Sequence, residues 1–377
     1  MKLLPGPKKG RERLRQRDAM RRKEKEQKKS RTLKKSLNIA KSAMLVLGLA
    51  ACSAACSKYE ISTAQESRDA AISFTVAPLT KVGDAKTFST DNKFQTYAWY
   101  SADKFDYTTG EEFVPASTVS YSGGSWNTAT TYFWPKDGGY LSFFSWSLNS
   151  SSLAFSSANT TVTFSATQGV KVENFSSEAN DDFMVADPAL NMQTNLKTYD
   201  NLGVPTLFRH KTSQIAFKVK TAKNYSDKTY TLTGIKFQNV STTGTYTQGK
   251  NSTSSESWTA KESSRTITHY SSTSGVVFSD TAVDVPSNGT YLFIPQSFAS
   301  GDNKTVTITY TIKSGSNTST KTATLDVNTI LGGNASVATA FEKGKIYTIT
   351  LIFSGNEILW NPQVQDWTDP EKNVTVG

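Results

Sequence analysis

The chain has 377 residues and a formal net charge of +10 at pH 7, but this charge is unevenly distributed. Residues 1–51 carry 17 of the 42 basic and 4 of the 32 acidic side chains, which leaves 25 basic and 28 acidic side chains in residues 52–377. A basic run such as residues 11–29 is usually a solvated tail. The composition of the remaining chain therefore argues against a nucleic-acid partner.

Residues 33–52 have the pattern of an export signal. Lys34 and Lys35 precede a short apolar run, which closes on small residues before Cys52. A charged flank, a short apolar segment and small residues at a cleavage point predict a signal peptide over residues 1–51 that begins with a basic tail. The apolar run over residues 37–51 is too short, and too polar at its start, to span a bilayer. Translation starts either at Met1 or near Leu33.

The end of this segment resembles a bacterial lipobox, because a cysteine directly follows Leu-Ala-Ala at 49–51. The resemblance implies cleavage before Cys52 and attachment of fatty acids to it, with Cys56 as the alternative acceptor. These two residues are the only cysteines, so the folded region has no disulfide framework and no thiolate metal site. Residues 52–71 are polar and are interpreted as a tether.

In the rest of the chain, apolar residues recur with the period of two that is typical of strands, and not with the helical period of 3.6. Alternation is clearest over residues 305–312, where threonine alternates with Val, Ile and Tyr. The strands predicted in chain order are 72–76, 97–100, 141–146, 161–164, 214–219, 230–237, 291–294, 305–312 and 345–353. Clusters of Ser, Thr, Asn and Gly between them indicate hairpin turns, the clearest at 313–319.

The predicted fold class is therefore all-β, with antiparallel sheets packed as sandwiches. No helical stripe of 12 or more residues follows the signal segment. A turn-rich stretch at residues 200–206 divides the chain into two parts of sandwich size. We expect an N-terminal β-sandwich over residues 72–203 and a C-terminal one over residues 204–377.

Several segments in the expected order resemble the fimbrillin family, the pilin subunits and accessory proteins of Bacteroidales fimbriae. The segments are Trp126, Tyr-Phe-Trp-Pro at 132–135, Leu-Ser-Phe-Phe-Ser-Trp at 141–146, Asp-Phe-Met-Val-Ala at 182–186, Leu-Phe-Arg-His-Lys-Thr-Ser-Gln-Ile at 207–215, Tyr-Leu-Phe-Ile-Pro-Gln at 291–296, Phe-Glu-Lys-Gly-Lys-Ile-Tyr-Thr-Ile-Thr at 341–350 and Val-Gln-Asp-Trp at 364–367. The resemblance implies two transthyretin-like β-sandwich domains in tandem. Aromatic clusters of this kind most often form cores.

The resemblance also implies an assembly mechanism and a location. A lipid-anchored subunit reaches the outer membrane surface, a protease removes its first strand, and a strand from another fimbrial subunit replaces it by donor-strand exchange. The family cuts at an arginine after the first strand, whereas the loop at residues 77–92 offers only Lys81 and Lys86. Lys81 is the expected processing site, and an anchor or accessory subunit that is never cut stays open as well. Arg68 is the alternative, although a cut there would leave the strand in place.

The function predicted on this basis is a non-enzymatic, surface-exposed lipoprotein of a fimbria, acting in assembly and in adhesion to a host or bacterial ligand. Shaft, anchor and tip roles stay open. The alternative is a surface glycan-binding lipoprotein, which exposed tryptophans along one face would favour.

Other chemistry finds little support in the sequence. The segment at 244–250 approaches a phosphate-binding loop, but Asn251 replaces the hydroxyl residue that would hold magnesium. His210 and His269 are too far apart, without cysteines, to suggest zinc. We therefore predict no catalytic, cofactor or metal site. Asp-Thr-Ala at 280–282 resembles a Bacteroidetes O-glycosylation acceptor, with Thr281 as the modified residue.

Overall fold

The computed structural model describes residues 70–76, 88–198, 201–249, 256–261, 265–298, 302–332, 339–355 and 357–367. Strands dominate this part of the chain, which confirms the all-β prediction. The predicted signal peptide, most of the predicted tether and the residues Cys52, Cys56, Arg68 and Lys81 lie outside the described residues.

Twenty-five strands are described. The strands up to residue 210 are β1 (Phe74–Val76), β2 (Lys93–Ser101), β3 (Glu111–Ser122), β4 (Ser125–Thr128), β5 (Tyr140–Ser147), β6 (Thr161–Ser165), β7 (Gly169–Ser176), β8 (Met184–Ala186), β9 (Ala189–Met192), β10 (Leu196–Thr198), β11 (Asn201–Thr206) and β12 (Phe208–His210). The later strands are β13 (Ser213–Thr221), β14 (Thr229–Gln238), β15 (Thr243–Thr247), β16 (Ser257–Ala260), β17 (Thr266–Phe278), β18 (Val283–Val285), β19 (Leu292–Phe293), β20 (Gln296–Ser297), β21 (Thr305–Ser314), β22 (Asn317–Asp326), β23 (Ala340–Phe341), β24 (Lys345–Ser354) and β25 (Glu357–Asp366).

Helices are short. A 3-10 turn spans Ser177–Ala179, and α1 spans Val327–Gly332. No helix in the part of the chain that the structure describes is long and apolar enough to span a membrane.

A ten-stranded sheet, here called the large sheet, contains the first strand. Its order is β10-β11-β1-β4-β3-β2-β5-β8-β12, with β9 paired to β5. Seven of the eight residues of β5 are buried, so both of its faces are covered. Leu141 and Phe143 pack into one core, and Phe144 and Trp146 pack into another. Alternation of side chains along a strand produces this division.

The second core lies between the large sheet and a four-stranded sheet, here called the cover sheet, with the order β16-β15-β7-β6. The cover sheet contributes Val170, Val172, Phe175 and Tyr246 to this core. Both sheets use strands from the two sides of residue 204. The division into domains at residue 204 stays a prediction.

A sandwich of two further sheets holds the third core. Its front sheet has the order β18-β13-β24-β25, with β19 on β13, and its back sheet has the order β17-β14-β21-β22. Phe217 of β13, Ile349 of β24 and Ile235 of β14 all lie in this core. The sheets are largely antiparallel, as expected, but β1 pairs with β11 and β13 pairs with β24 in parallel.

Candidate functional site: the first strand and its groove

The first strand occupies an internal position in the large sheet although it has only three residues. It pairs in parallel with β11, where Phe74 lies opposite Val204, and it pairs antiparallel with β4, where Phe74 lies opposite Trp126. Without β1, both neighbouring strands would expose unpaired backbone groups. We call the space that the segment 71–76 fills the β1 groove.

Backbone hydrogen bonds hold the segment before β1 on both sides. The Ile72 amide donates to the Tyr132 carbonyl over 2.8 Å, and the Val204 amide donates to the Ser73 carbonyl over 2.7 Å. Ala71 forms an isolated antiparallel bridge with Phe133. The chain is therefore seated in the sheet before the strand formally begins.

Asn195 fastens the same segment through its side chain. Its amide nitrogen Nδ2 donates to the Ala71 carbonyl over 2.9 Å, and its Oδ1 accepts from the Ser73 amide over 3.3 Å. A planar amide that bonds a carbonyl and an amide two residues apart imitates a neighbouring strand. The Asn195 side chain thus takes the place of a neighbouring strand for Ala71 and Ser73.

The groove is apolar on its core side. Ile72 and Phe74 are 4% and 2% exposed. The ring of Phe74 meets Phe94 and Phe143 edge to face, with centroids 5.5 Å and 5.7 Å apart. Full burial of a side chain of this size contributes about 1.5–3 kcal/mol. Ile72 and Phe74 together therefore contribute roughly twice that amount.

Gly203 of β11 allows β1 to approach closely. A Cβ atom at this position would lie 2.5 Å from the carbonyl carbon of Phe74 and 2.8 Å from the Thr75 nitrogen. Both distances are well below the 3.5–4.0 Å of ordinary contact. Glycine is therefore required here by the neighbouring backbone.

The chain is also anchored on the far side of the stretch at residues 77–87. Phe88 is 6% exposed, and its ring stacks on Phe208 with centroids 5.0 Å apart and an interplanar angle of 15°. Val76 and Phe88 thus bracket eleven residues that contain Lys81 and Lys86. A cut between these anchors would break the covalent link between β1 and the following strands and leave Phe88 on the uncut side of the sheet.

Three consecutive basic residues at the end of the large sheet each pair with an acid far away in sequence. Arg209 bonds Asp187 through two nitrogens, at 2.9 Å and 2.7 Å. His210 Nδ1 lies 2.7 Å from Asp182 Oδ1. These pairings, which the sequence pattern did not indicate, fix the connection between β12 and β13.

Lys211 completes this basic run in a buried polar cluster. Its Nζ lies 2.8 Å from Glu256 Oε1, which also accepts from the Tyr246 hydroxyl over 2.8 Å, and Lys343 pairs with the other carboxylate oxygen. Burial lowers the pKa of Lys211 and raises that of Tyr246 well above its ordinary value. Burial alone would raise the pKa of Glu256, but Lys211 and Lys343 lower it. The cluster joins the cover sheet to the loop before β24.

The last described residue, Trp367, lies against the same basic run at residues 209–211. The Trp367 ring stacks on His210 with centroids 3.9 Å apart, and its amide donates to the Gly344 carbonyl over 2.6 Å. Two segments that carry the sequence resemblance, 207–215 and 364–367, therefore meet in space.

The structure places the remaining candidate residues apart from the β1 groove. Thr281 is exposed in the turn between β17 and β18. His269 is buried, donates from Nδ1 to the Thr290 carbonyl over 3.0 Å, and has its pKa lowered to about 4 by burial. Residues 244–247 of the segment that approached a phosphate-binding loop belong to strand β15.

Possible metal ligands and the exposure of the tryptophans bear on the kind of site. Among the described residues, no three His, Cys, Asp or Glu side chains come together as a metal site would need. All seven tryptophans are described, and none is exposed. Three are buried and four are half-buried, so they form no row of fully exposed tryptophans.

Comparison with known proteins gives a consistent picture. The family model described as fimbrillin-like matches residues 80–367. A fimbrial protein from Bacteroides vulgatus ATCC 8482 has a similar fold, with a TM-score of 0.52 and 20% identity over 79% of this chain and 99% of that one. The tip fimbrial protein Mfa3 from Porphyromonas gingivalis aligns with a TM-score of 0.38 and 10% identity over 73% and 94% of the two chains. No curated protein matches significantly.

Proposed function

The chain belongs to the fimbrillin-like family, and from this premise we propose that it is a structural or accessory subunit of a surface fimbria that assembles by donor-strand exchange. The observation that carries the proposal is the internal, three-residue β1, which is seated in an apolar groove and followed by a lysine-containing stretch. An open groove with unpaired ladder groups recruits an extended segment. The partners are other subunits of the same fimbria.

The location follows from the same proposal. The signal peptide directs export, and acylation of Cys52, or of Cys56, anchors the protein in the outer membrane with its sandwiches outside the cell. Labelling cells with a palmitate analogue tests this assignment. We expect Cys52→Ala to abolish the label and Cys56→Ala to retain it, and the reverse result would assign the lipid to Cys56.

The proposed role is assembly and adhesion without catalysis. Family membership supports this role, and the tryptophans, of which three are buried and four half-buried, favour it over a glycan binder that works through a row of exposed tryptophans. The two-sandwich division at residue 204 is part of the proposal. Thr281 is proposed as an O-glycosylation acceptor because of its exposure in a turn.

Limited trypsin digestion of the full-length chain, followed by native mass spectrometry, tests strand exchange. We expect cuts at Arg68 and Lys81, retention of the fragment 69–81 on the folded remainder, and formation of multimers once mild heating releases that fragment. The Lys81→Gln/Lys86→Gln double variant, which has no lysine left between Val76 and Phe88, should stay monomeric, whereas Lys86→Gln alone should behave as the wild type. Multimers that form without any cut, or cut chains that lose the fragment and stay monomeric, would refute donor-strand exchange.

A further inference from the structure

A polar cleft lies beside the cover sheet, away from the β1 groove. It has a volume of about 500 Å³, within the size range of small-molecule sites. The end of β7, the start of β15 and the flanks of β16 and β17 form its walls. Every side chain that lines it is polar or charged. Such a lining suits a ligand rich in hydroxyl groups and not an apolar one.

The single acid of the cleft is already engaged by protein groups. Glu178 accepts from Arg265 through both carboxylate oxygens, at 2.9 Å and 3.1 Å. It also accepts from the Thr242 hydroxyl over 2.9 Å. These bonds use most of the accepting capacity of the carboxylate. Glu178 therefore holds the Arg265 wall of the cleft in place.

Lys261 differs from Arg265 because no acid neutralises it in the described part of the chain. Its ammonium group bonds the neutral amide oxygen of Asn174 over 2.5 Å. The backbone of Asn174 has a positive φ of 54°, and its carbonyl accepts from the Thr160 hydroxyl over 3.0 Å. The cleft thus contains a positioned ammonium group, and its described lining side chains (Lys261, Arg265 and Glu178) sum to one positive charge.

Three further lining side chains have hydrogen-bonding capacity to spare. Among the described residues, the hydroxyls of Ser157 and Ser176 and the amide of Asn159 have no protein partner. A hydroxyl both donates and accepts, and an amide offers two donors and one acceptor. These groups match the mixed demands of sugar hydroxyls.

We infer that this cleft binds an acidic sugar residue of a surface glycan. The sugar carboxylate pairs with Lys261, and the ring hydroxyls bond Ser157, Asn159 and Ser176. The inference gives the proposed adhesive role a ligand class, but the binding itself does not depend on strand exchange. No aromatic platform is needed, because charge and hydrogen bonds supply the recognition.

The test compares two sugars that differ only in the carboxylate, D-glucuronic acid and D-glucose, by saturation-transfer NMR on the full-length chain. We expect glucuronate to bind and glucose to bind much more weakly. Lys261→Gln should weaken glucuronate binding about tenfold, as for the loss of one charge-assisted hydrogen bond. Lys236→Gln is the matched control, because Lys236 is also exposed but lies on β14 outside the cleft.

A second variant separates sugar recognition from simple anion binding. Asn159→Ala should weaken glucuronate binding while leaving Lys261 in place, and inorganic phosphate should compete poorly because it lacks ring hydroxyls. Equal binding of glucose, equal effects of the two lysine variants, or full competition by phosphate would overturn the inference. Failure here, with successful strand exchange in the trypsin experiment, would leave the proposed assembly role intact.

Discussion

Replacement of Gly203 by alanine tests whether the close approach of β11 seats β1. The added methyl group would meet the Phe74 carbonyl carbon at 2.5 Å and the Thr75 nitrogen at 2.8 Å, so β1 must shift by about 1 Å to reach ordinary contact distance. Both contacts are with backbone atoms, which a rotamer change cannot relieve. The shift also strains the 2.7 Å bond from the Val204 amide to the Ser73 carbonyl.

The cost lies between two limits. If the sheet accommodates the methyl group, overpacking costs about 1–3 kcal/mol. If β1 leaves the groove, the burial of Ile72 and Phe74 is lost, which costs about 3–6 kcal/mol for the two side chains. Since 1.4 kcal/mol is a factor of ten, the limits of about 1 and 6 kcal/mol predict that local opening of residues 72–76 becomes roughly 5- to 20,000-fold more frequent.

Amide hydrogen exchange of residues 72–76, read by mass spectrometry, measures this opening directly. Gly234→Ala is the matched control, because its Cβ would lie 3.6 Å from its nearest neighbour, an ordinary contact. It also controls for the effect of any glycine-to-alanine change on the unfolded chain. Unchanged exchange at 72–76 in Gly203→Ala, or equal acceleration in both variants, would show that the fit of Gly203 does not hold β1.

Three other perturbations test the packing. Phe74→Ala should lower the free energy of unfolding by about 3–5 kcal/mol in urea titrations, and a loss below 1 kcal/mol would contradict the burial of its ring. Glu256→Gln should cost about 3–5 kcal/mol because two ammonium groups lose their carboxylate, and Lys211→Met should cost less because it removes the buried charge itself and leaves Glu256 paired with Lys343. His269 has a folded pKa of about 4, below its unfolded value, so the unfolded chain binds more protons between pH 6.5 and 4. Stability should therefore fall by up to about 3 kcal/mol on acidification through this window. His269→Asn, whose amide still donates to Thr290, should remove this loss of stability between pH 6.5 and 4. An unchanged dependence of the free energy of unfolding on pH would contradict the assignment to His269.

The periodicity of the sequence predicted the long, regular strands well. The alternation at 305–312 corresponds to β21, and every strand predicted from it overlaps an observed one. The alternation did not predict β3, where only Val114 and Val119 are buried and Pro115 interrupts the pattern. The pairing of β2 with β3 also shifts register twice, which breaks a period of two. Strands of three residues such as β8 and β12 are too short to show any period.

The sites were less accessible to sequence reasoning. Periodicity identifies a strand but not the direction of its neighbour, so the parallel pairing of β1 could not be read from it. The acid partners of Arg209, His210 and Lys211 lie 22, 28 and 45 residues away along the chain. The polar cleft likewise combines residues from 157 to 265. Only the folded chain brings these side chains together.

The parallel pairing of β1 with β11 has a consequence for the geometry of any fibre. Suppose that a segment of one molecule, the donor, replaces β1 in the groove of another, the acceptor, and keeps the direction of β1. The donor then contributes its segment and the acceptor its groove, so the two molecules use different surfaces. Such a contact cannot be self-complementary, so two molecules joined this way still offer one vacant acceptor and one unused donor. The resulting fibre would have distinguishable ends and would lengthen by adding molecules in a single orientation.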